Sequence, residues 1–134
     1  MAITAETVHA IFKGLESGDG GAFFEHVASD VDWTVMGTHP LAGRYRSRQA
    51  FVEATFAKLG KVLVAGAQLA LEHLVVQGDE AVVELRSMAT ARNGMRFDNR
   101  YCWVVLFRNG VIVNVRAYLD SAMVAQLFAE NPIA

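Results

Sequence analysis

Between Arg96 and Arg108 the residues alternate in character. Arg96, Asp98, Arg100 and Arg108 share one parity, while Phe97, Asn99, Tyr101, Trp103, Val105 and Phe107 share the other. On a strand these two sets stand on opposite faces. The second set is expected to face an interior, which carries the Asn99 amide and the Tyr101 hydroxyl into an otherwise apolar enclosure. Two preorganised donors there could stabilise a developing enolate and lower a barrier by several kcal/mol, on the order of 3. Trp103 on the same face, and Trp33 earlier in the chain, could floor a flat aromatic ligand, and they serve equally well as core filling. Glu84 and Arg86 share a parity with Val82, Met88 and Thr90, whereas Val83, Leu85, Ser87 and Ala89 take the other. Alternation alone leaves their facing open: inward they hold a polar substrate group or supply an acid, outward they form a surface or dimer ion pair. His39 precedes Pro40 in a loop, where its imidazole either exchanges protons near neutrality or braces the backbone. Asp120 closes the last apolar run just ahead of an apparent helix, the position of an N-cap.

The elements that must position these groups follow from periodicity. Val8, Ile11, Phe12 and Leu15 recur at helical spacing behind Thr4, which caps a first helix. Ser17-Gly18-Asp19-Gly20-Gly21 breaks it, and Asp19 then starts a short helix carrying Phe23, Phe24 and Val27. Val31 to Met36 reads as a strand and Gly37 to Gly43 as an ordered loop. Ser47 opens a third helix with Phe51, Ala54, Thr55 and Leu59 on one side, and Gly60 ends it. A meander of strands follows, over 69–76, 81–91, 96–108 and 111–119, with turns at Gly78-Asp79, Asn93-Gly94 and Asn109-Gly110. The last of these is a strong type I′ hairpin signal. A short helix over 120–129 finishes the chain. Three N-terminal helices followed by an antiparallel meander, with a short C-terminal helix, argue for an α+β domain whose helices cover one face of the sheet.

Composition bounds the rest. At 134 residues, 53% hydrophobic and 19% charged, the chain is globular and suits one domain over 1–134 that buries roughly two thirds of its unfolded surface. A net charge of −2 spread along the chain gives no footprint for nucleic acid, and the cluster Arg44, Arg46 and Arg48 reads as a solvated loop. Cys102 is the lone cysteine, and the four histidines lack the spacing of a structural zinc site, so no metal is expected. No leader-like N-terminus and no apolar run of about 18 residues is present, so no membrane partner is expected and the cytoplasm is the default compartment. Cys102, Val104 and Leu106 form an apolar segment on the outward face, to be covered by a homodimer through the sheet or by the chain's own C-terminal segment.

Glu16-Ser17-Gly18-Asp19, the Gly37-Thr38-His39-Pro40-Leu41-Ala42-Gly43-Arg44-Tyr45 loop, Asn99-Arg100-Tyr101, the Asn109-Gly110 hairpin and Arg116-Ala117-Tyr118-Leu119-Asp120 together resemble, in order and spacing, the nuclear transport factor 2-like superfamily. The nearest branch is that of SnoaL-like polyketide cyclases and ketosteroid isomerase-related proteins. The resemblance spans essentially the whole chain and implies a cystatin-like cone with one pocket for a small hydrophobic ligand. The isomerase tyrosine and two aspartates fall at about Ile11, Trp103 and Val35, so that constellation is absent. The cyclases place an acid/base aspartate at the end of the last strand, which is Asp120 here, with Tyr118 beside it as a ligand contact. Burial at a pocket mouth would raise the pKa of such a carboxylate toward a useful range. Registering the isomerases turns Glu84 and Arg86 inward. The resemblance implies cofactor-free proton transfer on a carbonyl metabolite, by an isomerase, cyclase or dehydratase, or else a non-catalytic binding role in the same pocket.

Overall fold

The computed structural model describes residues 3–18 and 20–133. Helix α1 (Ala5–Phe12) begins where the Thr4 hydroxyl accepts the Thr7 N–H at 3.2 Å, and its buried stripe is Val8, Ile11 and Phe12. A 3-10 turn over Lys13–Ser17 extends it, buries Leu15, and stops at Gly18 with φ +93°. Gly18 is sterically required: a Cβ there would collide with the Ala65 carbonyl oxygen, and the Gly18 carbonyl accepts from Ala67 N–H at 3.1 Å. Asp19, expected as the next cap, lies outside the described residues. Helix α2 (Gly21–Phe24) is one turn that buries Phe23 and Phe24.

Strand β1 (Val27–Val35) starts four residues earlier than its β-branched run suggested, so Val27 belongs to the strand and not to the helix before it. Strand β2 (Gly43–Tyr45), which the sequence did not signal, pairs antiparallel with β1. Arg44 grips Asp32 across this pair at 3.0 and 2.6 Å, and Arg48 donates to the Phe24 and Val27 carbonyls at 3.3 and 3.0 Å. The guanidinium of Arg44 holds the Asp32 carboxyl below its usual range. Two of the three clustered arginines thus tie local structure together.

The single helix expected over 47–59 is two: α3 (Arg48–Ala54), capped by Ser47, and α4 (Phe56–Val62). They part at Thr55, which leaves helical geometry at φ −124°, ψ −77°, with its hydroxyl donating to the Phe51 carbonyl at 2.7 Å. Such back-bonding by a β-branched hydroxyl competes with the helical ladder. The break lets Phe51 and Phe56 both turn inward. Gly60 terminates nothing; it sits within α4, and the chain becomes extended only at Leu63.

Strands β3 (Leu69–Gln77) and β4 (Glu80–Ser87) follow. Then come β5 (Ala89–Thr90), β6 (Arg96–Phe97), β7 (Arg100–Arg108), β8 (Val111–Leu119) and helix α5 (Ser121–Glu130). The long strands expected over 81–91 and 96–108 are each interrupted, and their distal pieces form a separate β5–β6 hairpin. Ser87 explains the interruption: its hydroxyl donates to the Phe97 carbonyl at 2.6 Å and accepts the Asn99 N–H at 2.8 Å, so a side chain replaces ladder bonds. Asn109 (φ +53°) and Gly110 (φ +77°) form the expected tight hairpin between β7 and β8.

The main sheet runs β2-β1-β8-β7-β4-β3. It is antiparallel except at one pair: β1 lies parallel to β8, a relation a hairpin cannot make and a long crossover can. The helices pack on one face to give the expected α+β cone. Its core is an aromatic cluster of Phe12, Phe23, Phe24, Trp33, Phe51, Phe56 and Trp103. Among the described residues no helix is long and apolar enough to cross a membrane.

Candidate functional site

Beneath α3 and α4 the aromatic cluster leaves a cavity. Its walls are Trp33 and Val35 of β1, Tyr101 and Trp103 of β7, Ala117 and Leu119 of β8, and Leu69 of β3. Phe51, Thr55, Phe56 and Leu59 roof it, and Leu41 and Ala67 complete it. Measured as room for the centre of a water-sized molecule, its volume is about 40 Å³. One such molecule occupies about 10–15 Å³ on that measure, so the space takes roughly three, or one small ring. The inward parity read from β7 places Tyr101 and Trp103 here, and Trp33 joins them.

Polar atoms in the lining are few. The Thr55 proton is committed to the Phe51 carbonyl. Burial pushes the Tyr101 phenol well above its usual range, with the Ser87 hydroxyl working weakly the other way, so Tyr101 is a neutral donor and not a base near pH 7. The indole N–H groups of Trp33 and Trp103 are buried and have no hydrogen-bond acceptor in the protein. None of the described lining residues is a carboxylate, imidazole, ammonium or guanidinium.

The remaining sequence candidates stand elsewhere. Asn99 faces inward and is fully buried, but its amide is consumed: Nδ2 donates to the Asp120 carbonyl at 3.2 Å and Oδ1 accepts the Asp120 N–H at 3.0 Å. It braces β7 against the start of α5 and is not among the residues that line the cavity. Asp120 is exposed, lies outside the cavity lining, and accepts the Met123 N–H at 3.2 Å as the N-cap of α5. The capping reading of this carboxylate therefore accounts for its geometry. His39 is buried and braces the 37–43 loop. Its Nε2 lies 2.9 Å from the Met36 carbonyl, which requires the proton on Nε2, and its Nδ1 accepts the Leu41 N–H at 3.1 Å. Tyr45, whose own pKa burial also raises, donates to the Leu41 carbonyl at 2.8 Å and holds the same loop.

Three candidate ligand contacts face away from the cavity. On β4 the buried set is Ala81, Val83, Leu85 and Ser87, so Glu84 and Arg86 project from the outer face. Arg86 and Arg100 there approach Glu72 at 3.8 and 2.8 Å. Tyr118 is opposite Cys102 on the same outer face and is 45% exposed. The core residues between them left no inward room for either charge, and burying one unpaired costs several kcal/mol. Sequence reading missed Leu41, Phe56 and Ala67 as lining. Phe51, Thr55 and Leu59 were visible as one helix face, and a threonine amid those apolar residues was the available signal.

The sequence profile described as the SnoaL-like domain matches residues 8–115. A curated relative, the dimerizing cyclase phiC of Fungal sp. (strain ATCC 74256), is 26% identical over 127 residues, covering 92% of this chain. The chain spans only 56% of that relative's length. Among solved structures, an NTF2-like protein from Burkholderia thailandensis E264 superposes with a TM-score of 0.78 at 29% identity, covering 92% of this chain and 95% of that one. Bal32a, from a soil-derived mobile gene cassette, superposes with a TM-score of 0.73 at 26% identity, covering 95% and 92%. The first of these two structures places the fold in the NTF2-like superfamily.

Proposed function

We propose, for a chain that belongs to the SnoaL-like domain family, that the cavity beneath α3 and α4 binds a small, uncharged, largely apolar molecule. One observation carries this reading: the cavity is walled by apolar and aromatic side chains with no charged group among its described lining. A charged ligand would lose its hydration there without a partner, a penalty of several kcal/mol. An apolar ring would gain from burial at about 25 cal/mol for each Å² removed from water. The test is a methyl-resolved NMR titration with two single-ring probes, cyclohexanone and methylenecyclohexane. Shifts of Leu41, Leu69 and Leu119 methyls are expected; if neither probe moves them, the cavity is not a ligand site.

A second reading, a cyclase or isomerase acting on the bound molecule, is favoured by the name of the fungal relative and by the neutral Tyr101 donor. In this reading Asp120 does not touch the reacting atoms from its cap position. Replacing Asp120 by alanine is expected to lower unfolding free energy by about 1 kcal/mol, the usual value of a lost N-cap, with probe binding unchanged. A loss of turnover in that variant, on a substrate the wild type converts, would restore Asp120 as acid/base.

We also propose that the outer sheet face joins two copies of the chain. Val75 and Val82 are exposed side by side, Val104 pairs with Val82, and Cys102 and Leu106 are only half-buried next to them. Helix α5, the other candidate cover, is instead tied to the Asn93 turn through Glu130 and Asn131. Sedimentation velocity reads the outcome, and a monomer at micromolar concentration removes this proposal.

A further inference from the structure

The chain holds two Asn-Gly pairs, and the structure treats them in opposite ways. At Asn93-Gly94 the groups that could react are engaged. Asn93 Oδ1 accepts the Met95 N–H at 3.0 Å, its Nδ2 donates to the Glu130 carboxylate at 3.3 Å, and the Gly94 N–H donates to the Ala91 carbonyl at 2.9 Å. Asn109-Gly110 is exposed at the tip of the β7–β8 hairpin. No described residue hydrogen-bonds the Asn109 side chain or the Gly110 N–H. A Cβ built on Gly110 would meet nothing within 4 Å, so the peptide between the two residues has room to turn over.

We propose that Asn109 is a site of spontaneous modification, deamidating through a cyclic imide with water as co-reactant. The Gly110 amide nitrogen attacks Asn109 Cγ. The N–Cγ bond forms, the Cγ–Nδ2 bond breaks, the Gly110 proton passes through solvent to the leaving nitrogen, and ammonia departs. Water then opens the imide. Cleavage of the new N–Cγ bond leaves aspartate, and cleavage of the original peptide bond leaves isoaspartate, whose main chain runs through Cβ and Cγ. The shape of the turn favours ring closure. Its two positive φ values, +53° at Asn109 and +77° at Gly110, are those of type I′. Turning over the central peptide converts it to type II′, whose first central residue has ψ of about −120°. There the Gly110 nitrogen eclipses Asn109 Cβ, as a five-membered ring requires. Both types close a two-residue hairpin, so the Arg108–Val111 pairing stands throughout. Asn93 must first release its bonds, which slows its reaction about 10- to 100-fold. Isoaspartate adds one main-chain carbon and a charge to a two-residue turn whose length sets the β7–β8 register.

Trypsin cuts after Arg92, Arg96, Arg108 and Arg116, which isolates the two pairs in the segments 93–96 and 109–116. In folded protein held at neutral pH and physiological temperature, 109–116 is expected to exchange ammonia for water, read by mass, about 10- to 100-fold faster than 93–96. In concentrated urea the two segments are expected to convert at similar rates. The converted fraction, separated by its extra negative charge, is expected to unfold at lower urea than the parent. Asn109→Gly keeps a residue that accepts positive φ and is expected to abolish the change in 109–116. A folded 109–116 segment that converts no faster than 93–96 overturns the proposal. A mass change that persists in Asn109→Gly places the reaction at Asn114 and overturns the assignment. An unchanged urea midpoint for the converted fraction overturns the effect on the hairpin.

Discussion

Replacing Trp33 by alanine is expected to cost about 3–5 kcal/mol of unfolding free energy, the range for removing a large buried aromatic ring. Domains of this kind hold about 5–15 kcal/mol in total, so the variant should lie close to the edge of folding at 37 °C. The size of the effect follows from what the ring touches. Trp33 is wholly buried, stacks on Phe51 at 3.9 Å, meets Trp103 at 5.1 Å, and lies 6.4 Å from both Phe23 and Phe24. It is therefore the hub between the sheet and the helical roof, and the cavity it already borders would merge with the space it vacates. Trp33→Phe retains a ring and should lose only about 1–2 kcal/mol. Urea titration of the three proteins measures both numbers. A loss under about 1 kcal/mol for alanine would mean that the roof collapses onto the sheet and that the cavity is not rigid.

Asn99→Asp is expected to turn a pH-insensitive brace into a pH-sensitive one. When protonated, the new carboxyl reproduces the amide: its O–H donates to the Asp120 carbonyl and its other oxygen accepts the Asp120 N–H. Once ionised, it faces that carbonyl without a proton, in a fully buried site. Burial and carbonyl repulsion both raise the folded-state pKa above the unfolded value of about 3.9. A raised folded pKa means that the native state binds more protons, so stability falls as pH rises through that window, at up to about 1.4 kcal/mol per pH unit. The variant should match the parent near pH 4 and be weaker by about 3–4 kcal/mol near pH 7. Denaturation midpoints across pH 4 to 8 provide the check, and a parallel pH dependence of parent and variant would show that Asn99 is not held as described.

These two residues also show what the sequence could and could not disclose. Strand alternation placed Asn99, Tyr101 and Trp103 on the inward face, because that signal depends only on the pleat. It did not reveal that the Asn99 amide is spent on Asp120, since that bond joins positions brought together by the β7–β8 pairing and the start of α5. For Glu84 and Arg86 periodicity was silent, and burial on the opposite parity decided their facing. The family resemblance gave the cone and pointed to Asp120, but a carboxylate just before a helix fits two geometries, and only coordinates separate a cap from a pocket acid. The split at Thr55 was illegible for a related reason: helix propensity registers a β-branched residue as a small penalty and does not see the aromatic packing that makes the break worthwhile.

The parallel partnership of β1 and β8 bears on how the chain reaches its native state. Trp33 pairs with Val115, and Val35 with Ala117, so the sheet closes only after almost all of the polypeptide is available. Contacts so distant in sequence are slow to form, because the intervening loop must be closed before any reward is gained. On the ribosome, the early helices and β1 emerge with their aromatic faces uncovered, and they stay so until the 111–119 segment arrives. The hub that later gives the domain its stability is thus, during synthesis, its most exposed adhesive surface.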